Sequence, residues 1–393
     1  MWTNLQRFAE SNRADGALRC GFGAALSNPS SAKRKKRGDG MDEKQHRPCF
    51  RRHSAAICMG LIFALSTILG SAQALGSNEV AQSGKTQVQE LVPVGRAVGV
   101  KLFAEGVLVV KLSEEEQTAS PAKNSGLKTG VIILMMNDIK IESTEQVQSL
   151  LEENGEKEAQ LTIKRGSKTM TLPITPQKGQ DGVYRIGAWI RDSMAGIGTV
   201  TFYDPATKTF AALGHGITDV DTGALMPLSH GAIMPAAVKA VKRGESGAPG
   251  ELRGDFDMMC DLGTLYANTD CGIFGILSEN TPTEALGEAI PIAKKSEIAV
   301  GKATILANCS GEEVREYEIE IEKVYSGATP TRNMLLRVTD PELLAATGGI
   351  VQGMSGSPIL QNGCIVGAVT HVLVDDPTRG YGISIENMLD AAG

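Results

Sequence analysis

The chain has 393 residues, 42% of them hydrophobic, which is enough for two ordinary domains with cores of their own and too much for a disordered chain. Its net charge of -6 is unevenly placed: residues 1–53 carry 12 Lys and Arg against 5 Asp and Glu, leaving 27 against 40 beyond. An acidic body offers no basic face for phosphates, which excludes nucleic acid as a partner.

In chain order, residues 1–53 read as a basic, cytoplasmic and disordered leader, within which Met41, followed by a short basic run, would make a more ordinary signal-anchor start than Met1. Ser54 to Leu75 is uncharged and long enough as a helix to cross a bilayer. With Arg51 and Arg52 just before it, the positive-inside rule keeps the N-terminus in the cytoplasm and exports the remainder of the chain. A signal-anchor over 54–75 is therefore predicted. Ala72-Gln73-Ala74 resembles a signal-peptidase site, so a cleaved signal peptide is the alternative. Residues 76–90 are polar and aperiodic, as a flexible stalk is.

A first domain is expected over 91–176. Val107 to Leu112, Gln160 to Lys164 and Lys168 to Ile174 have strand patterns, and Val147, Leu150 and Leu151 stand at helical spacing within Thr144 to Glu153. Ser120 to Ser143 (SPAKNSGLKTGVIILMMNDIKIES) resembles the PDZ signature: a short helix, a Gly-Leu-Lys-x-Gly turn, a buried strand from Val131 to Met135, and a hairpin at Asn137-Asp138. A PDZ domain is a small β-sheet sandwich with helices that takes an extended peptide on a sheet edge, its terminal carboxylate held by loop amides. The resemblance implies that this loop is Val98, Gly99 and Val100 and that the ligand is a peptide, the chain's own included.

After a turn-rich junction at residues 177–182, residues 182–393 are glycine-rich with short strand-like runs and almost no long amphipathic helix. That pattern predicts a barrel or sandwich, and a mainly β protein as a whole. Cys260, Cys271, Cys309 and Cys364 lie in this exported part, and Cys260 with Cys271 is one pairing an oxidising compartment would allow. No CxxC or HExxH run is present, so neither a metal nor an organic cofactor is expected.

Gly353-Met354-Ser355-Gly356-Ser357-Pro358 has the form of a serine-peptidase nucleophile loop, with Ser355 attacking and the amides of Gly353 and Ser355 as oxyanion donors. A serine needs a base within hydrogen-bond reach. His215, between Gly214 and Gly216 at the end of an apolar strand, is favoured over His371 and His230; His371, soon after the nucleophile, suits a substrate pocket. For the carboxylate that would orient the base, Asp219, Asp221, Asp255, Asp257, Asp261, Asp270 and Asp340 are all open.

Together, a membrane anchor, one PDZ domain, and the runs ALGHGITD, GAPGELRGDF, VTDPELLAATGGIVQGMSGSPI and AVTHVLVDDPTRGYGI resemble the stage IV sporulation protein B peptidase family of endospore-forming bacteria. The resemblance covers nearly everything after residue 50. It implies a chymotrypsin-like double β-barrel over 182–393 with a triad of His215, Asp340 and Ser355. Asp340 stands only fifteen residues before Ser355, whereas in chymotrypsin-like chains the acid falls near the position of Asp257 or Asp270; a cap before Pro341 is the plainer role. Met354 stands where trypsin-like zymogens carry an Asp that pairs with a freed N-terminus, so that activation route is not expected. The family further implies self-cleavage, and proteolysis of an extracytoplasmic partner within a membrane-bound sporulation processing complex between forespore and mother cell. The alternative is a catalytically inert, membrane-tethered PDZ scaffold.

Overall fold

The computed structural model describes residues 89–113, 120–327 and 329–393. The predicted leader, anchor and nearly all of the predicted stalk lie outside them. Among the described residues no helix is long and apolar enough to cross a membrane.

Of the 21 strands among the described residues, fifteen carry the architecture: β1 (Ala97–Leu112), β2 (Ile132–Met136), β3 (Ala159–Arg165), β4 (Lys168–Ile174), β5 (Ala188–Asp204), β6 (Thr209–Ala212), β7 (Leu228–Lys242), β8 (Gly263–Thr269), β9 (Gly272–Leu277), β10 (Gly301–Ser310), β11 (Glu313–Val324), β12 (Met334–Val338), β13 (Pro358–Gln361), β14 (Cys364–Leu373) and β15 (Asp376–Ser384). Among the described residues the three longest helices are α1 (Thr144–Asn154), α2 (Pro341–Thr347) and α3 (Ile385–Ala392). The protein is mainly β, as the sequence predicts.

Strands β10, β11, β12, β15, β14 and β13 pair in that order and close on one another as a barrel. Along β11, Tyr317, Ile319 and Ile321 are buried while Glu316, Glu318 and Glu320 face outward, the period-two pattern of a strand with one face on a core. This barrel is the second in chain order; the first is a circuit of β5, β6, β9, β8, β7, β1 and back to β5 through the β1–β5 ladder. The two barrels meet on a seam that includes Phe202, Ala211 and Phe274 from the first and Ile365, Ala368 and Ile383 from the second, with Ile385 and Met388 of α3 against it.

The PDZ-like unit is inserted into the first barrel, not placed before it. The first part of β1 belongs to that barrel: Val98, Val100 and Leu102 pack with Val200, Phe210 and Ile273. Its far end turns to a separate core, where Val107 and Val109 meet Ile133, Val147, Leu151, Leu161 and Ile163. Strand β5 returns from that core into the barrel. The boundary drawn at residue 91 therefore shifts, because one continuous strand serves two cores and a sequence pattern shows only one strand. Within the unit, α1 and the hairpin with Asn137 and Asp138 at φ 51° and 63° form as the sequence predicts.

The predicted peptide-binding loop is corrected. Val98, Gly99 and Val100 lie inside β1, with β5 on one side and β7 on the other, so none presents a loop of free amides. Gly99 is required for space: a Cβ there would come within 2.4 Å of the Phe256 ring. The edge of residues 108–112 is taken by the chain's own Ala188 to Arg191. The same segment lies along α1: Tyr184 N–H donates to Glu152 (3.1 Å), and Thr144 N–H donates to the Asp192 carboxylate (2.8 Å).

Cys271, Cys309 and Cys364 are free thiols, so the Cys260–Cys271 pairing is absent.

Candidate active site

The nucleophile loop precedes β13. Gly353 and Gly356 flank Met354 and Ser355 at φ 103° and 99°, a region open to glycine and closed to most other residues. Between them Met354 is fully buried in the core of the second barrel, where it has nothing to offer a freed N-terminus. The loop is docked on β14 by Gly356 N–H to Val369 O (2.8 Å) and Val369 N–H to Ser357 O (2.9 Å). The Ser355 hydroxyl donates to the carbonyl of Thr370 at 2.7 Å. The amides of Gly353 and Ser355 donate to no acceptor among the described residues.

His215 comes from the first barrel, just past β6. The turn that delivers it holds Leu213 at φ 72°, succeeded by Gly214 at 65°. A buried leucine in the left-handed region costs on the order of 1–3 kcal/mol and persists only where surrounding packing enforces it, which is a mark of functional turns. The His215 ring lies 5.0 Å from that of His371, centroid to centroid. His371 comes directly after Thr370 on β14, so both imidazoles and the Ser355 hydroxyl gather at the seam. His230, by contrast, stacks on Phe103 at 4.5 Å and is exposed.

His215 Nδ1 is 2.8 Å from the carbonyl of Gly216. A carbonyl can only accept, so Nδ1 carries the proton and Nε2 is left as the basic nitrogen. The tautomer a base requires is thus set by a backbone carbonyl.

The expected pairing of Asp340 with His215 is not present. Asp340 is the N-cap of α2: its carboxylate accepts from Leu343 N–H (2.9 Å) and from Glu318 N–H (3.3 Å). The local cause is Pro341, which suits the first turn of a helix and makes the preceding residue its cap. Of the other six candidates, five are engaged elsewhere, and Asp270 makes no hydrogen bond or ion pair among the described residues. Asp219 and Asp221 take Arg191, Asp255 takes Lys239, Asp261 takes Lys101 at 2.7 Å, and Asp257 accepts from Met259 N–H. No hydrogen bond joins Ser355 to either imidazole, or any carboxylate to His215, among the described residues.

Asp340→Asn is expected to leave stability unchanged, because asparagine caps as well as aspartate. It therefore isolates any catalytic role. Turnover near wild type fits the cap, whereas a fall of about 10⁴-fold at unchanged melting would assign Asp340 to the base.

Burial holds His215 below the ordinary histidine value of 6.5, against a smaller upward pull from the Gly216 carbonyl. Burial, then the positive charges of His215 and Arg332, lower His371 to about 4. The base works neutral, so the acid limb of kcat/KM is expected below pH 6.5, read from a pH–rate profile. Stability has the same sign. The unfolded chain binds protons as pH falls through 6.5, while folded His371 waits until about 4, so stability present above 6.5 is lost between those values. Urea midpoints at pH 7.5 and 5 measure it.

Sequence reasoning passed over Thr199 and Thr370. Thr370 is adjacent to His371 but matters here through its carbonyl, and Thr199 sits within an ordinary strand run; neither role has a residue-type signal.

Two barrels that join a glycine-framed serine and a tautomer-fixed histidine at their seam define a serine peptidase. A family model, SpoIVB peptidase S55, matches residues 182–389, and the chain belongs to that family. A Lactococcus lactis protein named as a candidate zinc metalloprotease, LL2128, is 34% identical over 104 residues; the match spans 26% of this chain and only 23% of that relative. Among solved structures, the Rv3671c protease of M. tuberculosis in its active form is 15% identical, covers 50% of this chain and 72% of its own, and has a TM-score of 0.29. The PDZ domain of an SdrC-like protein of Listeria monocytogenes is 18% identical, covers 22% of this chain and 87% of its own, with a TM-score of 0.20.

Proposed function

We propose that the protein is a membrane-tethered serine endopeptidase in which Ser355 attacks the scissile carbonyl and His215 takes its proton. The observation that carries this is the pair of unengaged amides, Gly353 and Ser355, beside the serine hydroxyl. For acylation the hydroxyl turns from the Thr370 carbonyl to His215 Nε2, and the two amides receive the oxyanion. Protonated His215 then gives its proton to the leaving amine, and water completes deacylation. His371, kept neutral beside His215, lines the substrate pocket without competing for the proton.

The wider role rests on the family. It is self-cleavage and cleavage of an extracytoplasmic protein of a membrane-bound sporulation processing complex, leading to activation of a late mother-cell sigma factor. The hydrophobic stretch 54–75 supports tethering with the catalytic body in the space between forespore and mother cell. The chain's own occupation of the strand edge at residues 108–112 supports a PDZ-like unit whose peptide is internal.

A fluorophosphonate probe should label the purified protein on Ser355, located by peptide mass spectrometry. A labelled serine elsewhere, or none, would refute the assignment.

A further inference from the structure

The two residues whose amides are free have their carbonyls held, and both by one side chain and its backbone. Thr199 Oγ1 donates to Gly353 O at 2.7 Å, and Thr199 N–H donates to Ser355 O at 3.0 Å. The Thr199 carbonyl then accepts from Leu213 N–H at 3.1 Å, the left-handed residue two before His215. Thr199 is 1% exposed, and the loop packs on it so closely that a Cβ at Gly356 would fall 2.0 Å from its carbonyl oxygen.

We infer that Thr199 is a positioning residue that sets the oxyanion donors and ties them to the turn carrying His215. This rests on the reading of Ser355 as nucleophile. Gly353, at φ 103°, has no side chain to restrict its rotation. Its flanking peptide planes are free to turn unless something outside the loop holds them. The plane that carries the Gly353 amide is held at the Gln352 carbonyl by Leu252 N–H (2.8 Å), and Thr199 Oγ1 holds the next plane at the Gly353 carbonyl. The Ser355 carbonyl, held by the Thr199 amide, fixes the other end of the three-residue span. Free amides that stay aimed without substrate cost no reorganisation at the moment of reaction. The third bond makes the span common to both barrels: a shift of Thr199 would move the donors and the His215 turn together.

The test uses the full chain and a fluorophosphonate probe, which reacts as a peptide does at the first step. The Ser355 oxygen–phosphorus bond forms, fluoride leaves, the serine proton passes to His215, and the phosphoryl oxygen occupies the oxyanion position. Thr199→Val keeps the shape and the backbone bonds but removes the donor to Gly353. The maximal inactivation rate is expected to fall about tenfold to a hundredfold, with the probe's half-saturation concentration unchanged. Thr199→Ser restores the hydroxyl and should bring the rate back towards wild type, which a purely structural role would not require. Thr199→Ala is a second hydroxyl-free variant, and melting curves of all three establish that folded protein is being compared. Wild-type rates in Thr199→Val, or equally slow Thr199→Ser and Thr199→Val, would overturn the inference. Failure of the wild type to label at Ser355 would overturn the nucleophile and the clamp with it.

Discussion

Replacing Ser355 with alanine is expected to lower peptide hydrolysis by about a millionfold while leaving the fold in place. The change removes one hydrogen bond, from Oγ to the Thr370 carbonyl, worth about 1 kcal/mol, and no packing volume of note. The loop itself is held by Gly356 to Val369 and by Thr199 to Ser355 through backbone atoms that alanine keeps. A lost activity in a protein that still melts cooperatively is then chemical in origin. His215→Ala should cost about as much, and the double variant no more than either alone, because nucleophile and base act as a unit. Rates on an added unfolded protein substrate, tracked by gel and mass spectrometry, measure all three. A Ser355→Ala protein that retained cleavage would remove the serine from the mechanism, whatever the family.

How much of the site and fold is legible in the sequence differs by residue. Ser355 and His215 stand out because a catalytic turn needs glycine on both sides, and the glycines flanking each residue are visible as letters. The barrel strands are legible too: the alternation in Tyr317 to Val324 is the alternation of faces in β11. The PDZ boundary is hidden because β1 changes cores partway along, near Gly106 at φ 76°, without any break in its strand composition. Val98, Gly99 and Val100 are assigned to a loop by the PDZ resemblance alone, whereas Phe256, more than 150 positions away, packs over Gly99. Asp340 is drawn to the base by family order, and the competing signal, Pro341 beside it, prevails in the observed geometry. Thr199 has no signal at all. Its function lies in three hydrogen bonds to residues 213, 353 and 355, contacts that exist only once the barrels close.

Arg191→Met is expected to destabilise the protein by about 3 kcal/mol, towards the lower end for breaking a buried ion pair. Its partner Asp219 is fully buried four residues past His215. Without the guanidinium, Asp219 keeps three hydrogen bonds, from Asp221 N–H (3.1 Å), Thr222 N–H (2.9 Å) and Thr222 Oγ1 (3.0 Å), which lessen the penalty without removing it. Arg191 also reaches Asp221 at 3.0 Å, an exposed contact worth little by itself. The discriminating measurement is a double-mutant cycle in urea. Arg191→Met with Asp219→Asn should recover most of the loss, since the buried charge has gone with its partner, whereas two additive losses would deny the pairing. The consequence for activity comes from where Arg191 stands. On β5 it has Ile190 against the PDZ-like core on one side and, on the other, Asp192, whose carboxylate takes the Thr144 amide and hydroxyl at 2.8 and 3.0 Å. One dipeptide thus grips the first turn of α1 with one residue and the His215 loop with the next. Loss of Arg191 should therefore lower turnover in the fraction that remains folded, and Asp192→Ala, which leaves the Asp219 pair intact, should lower stability with a smaller effect on rate.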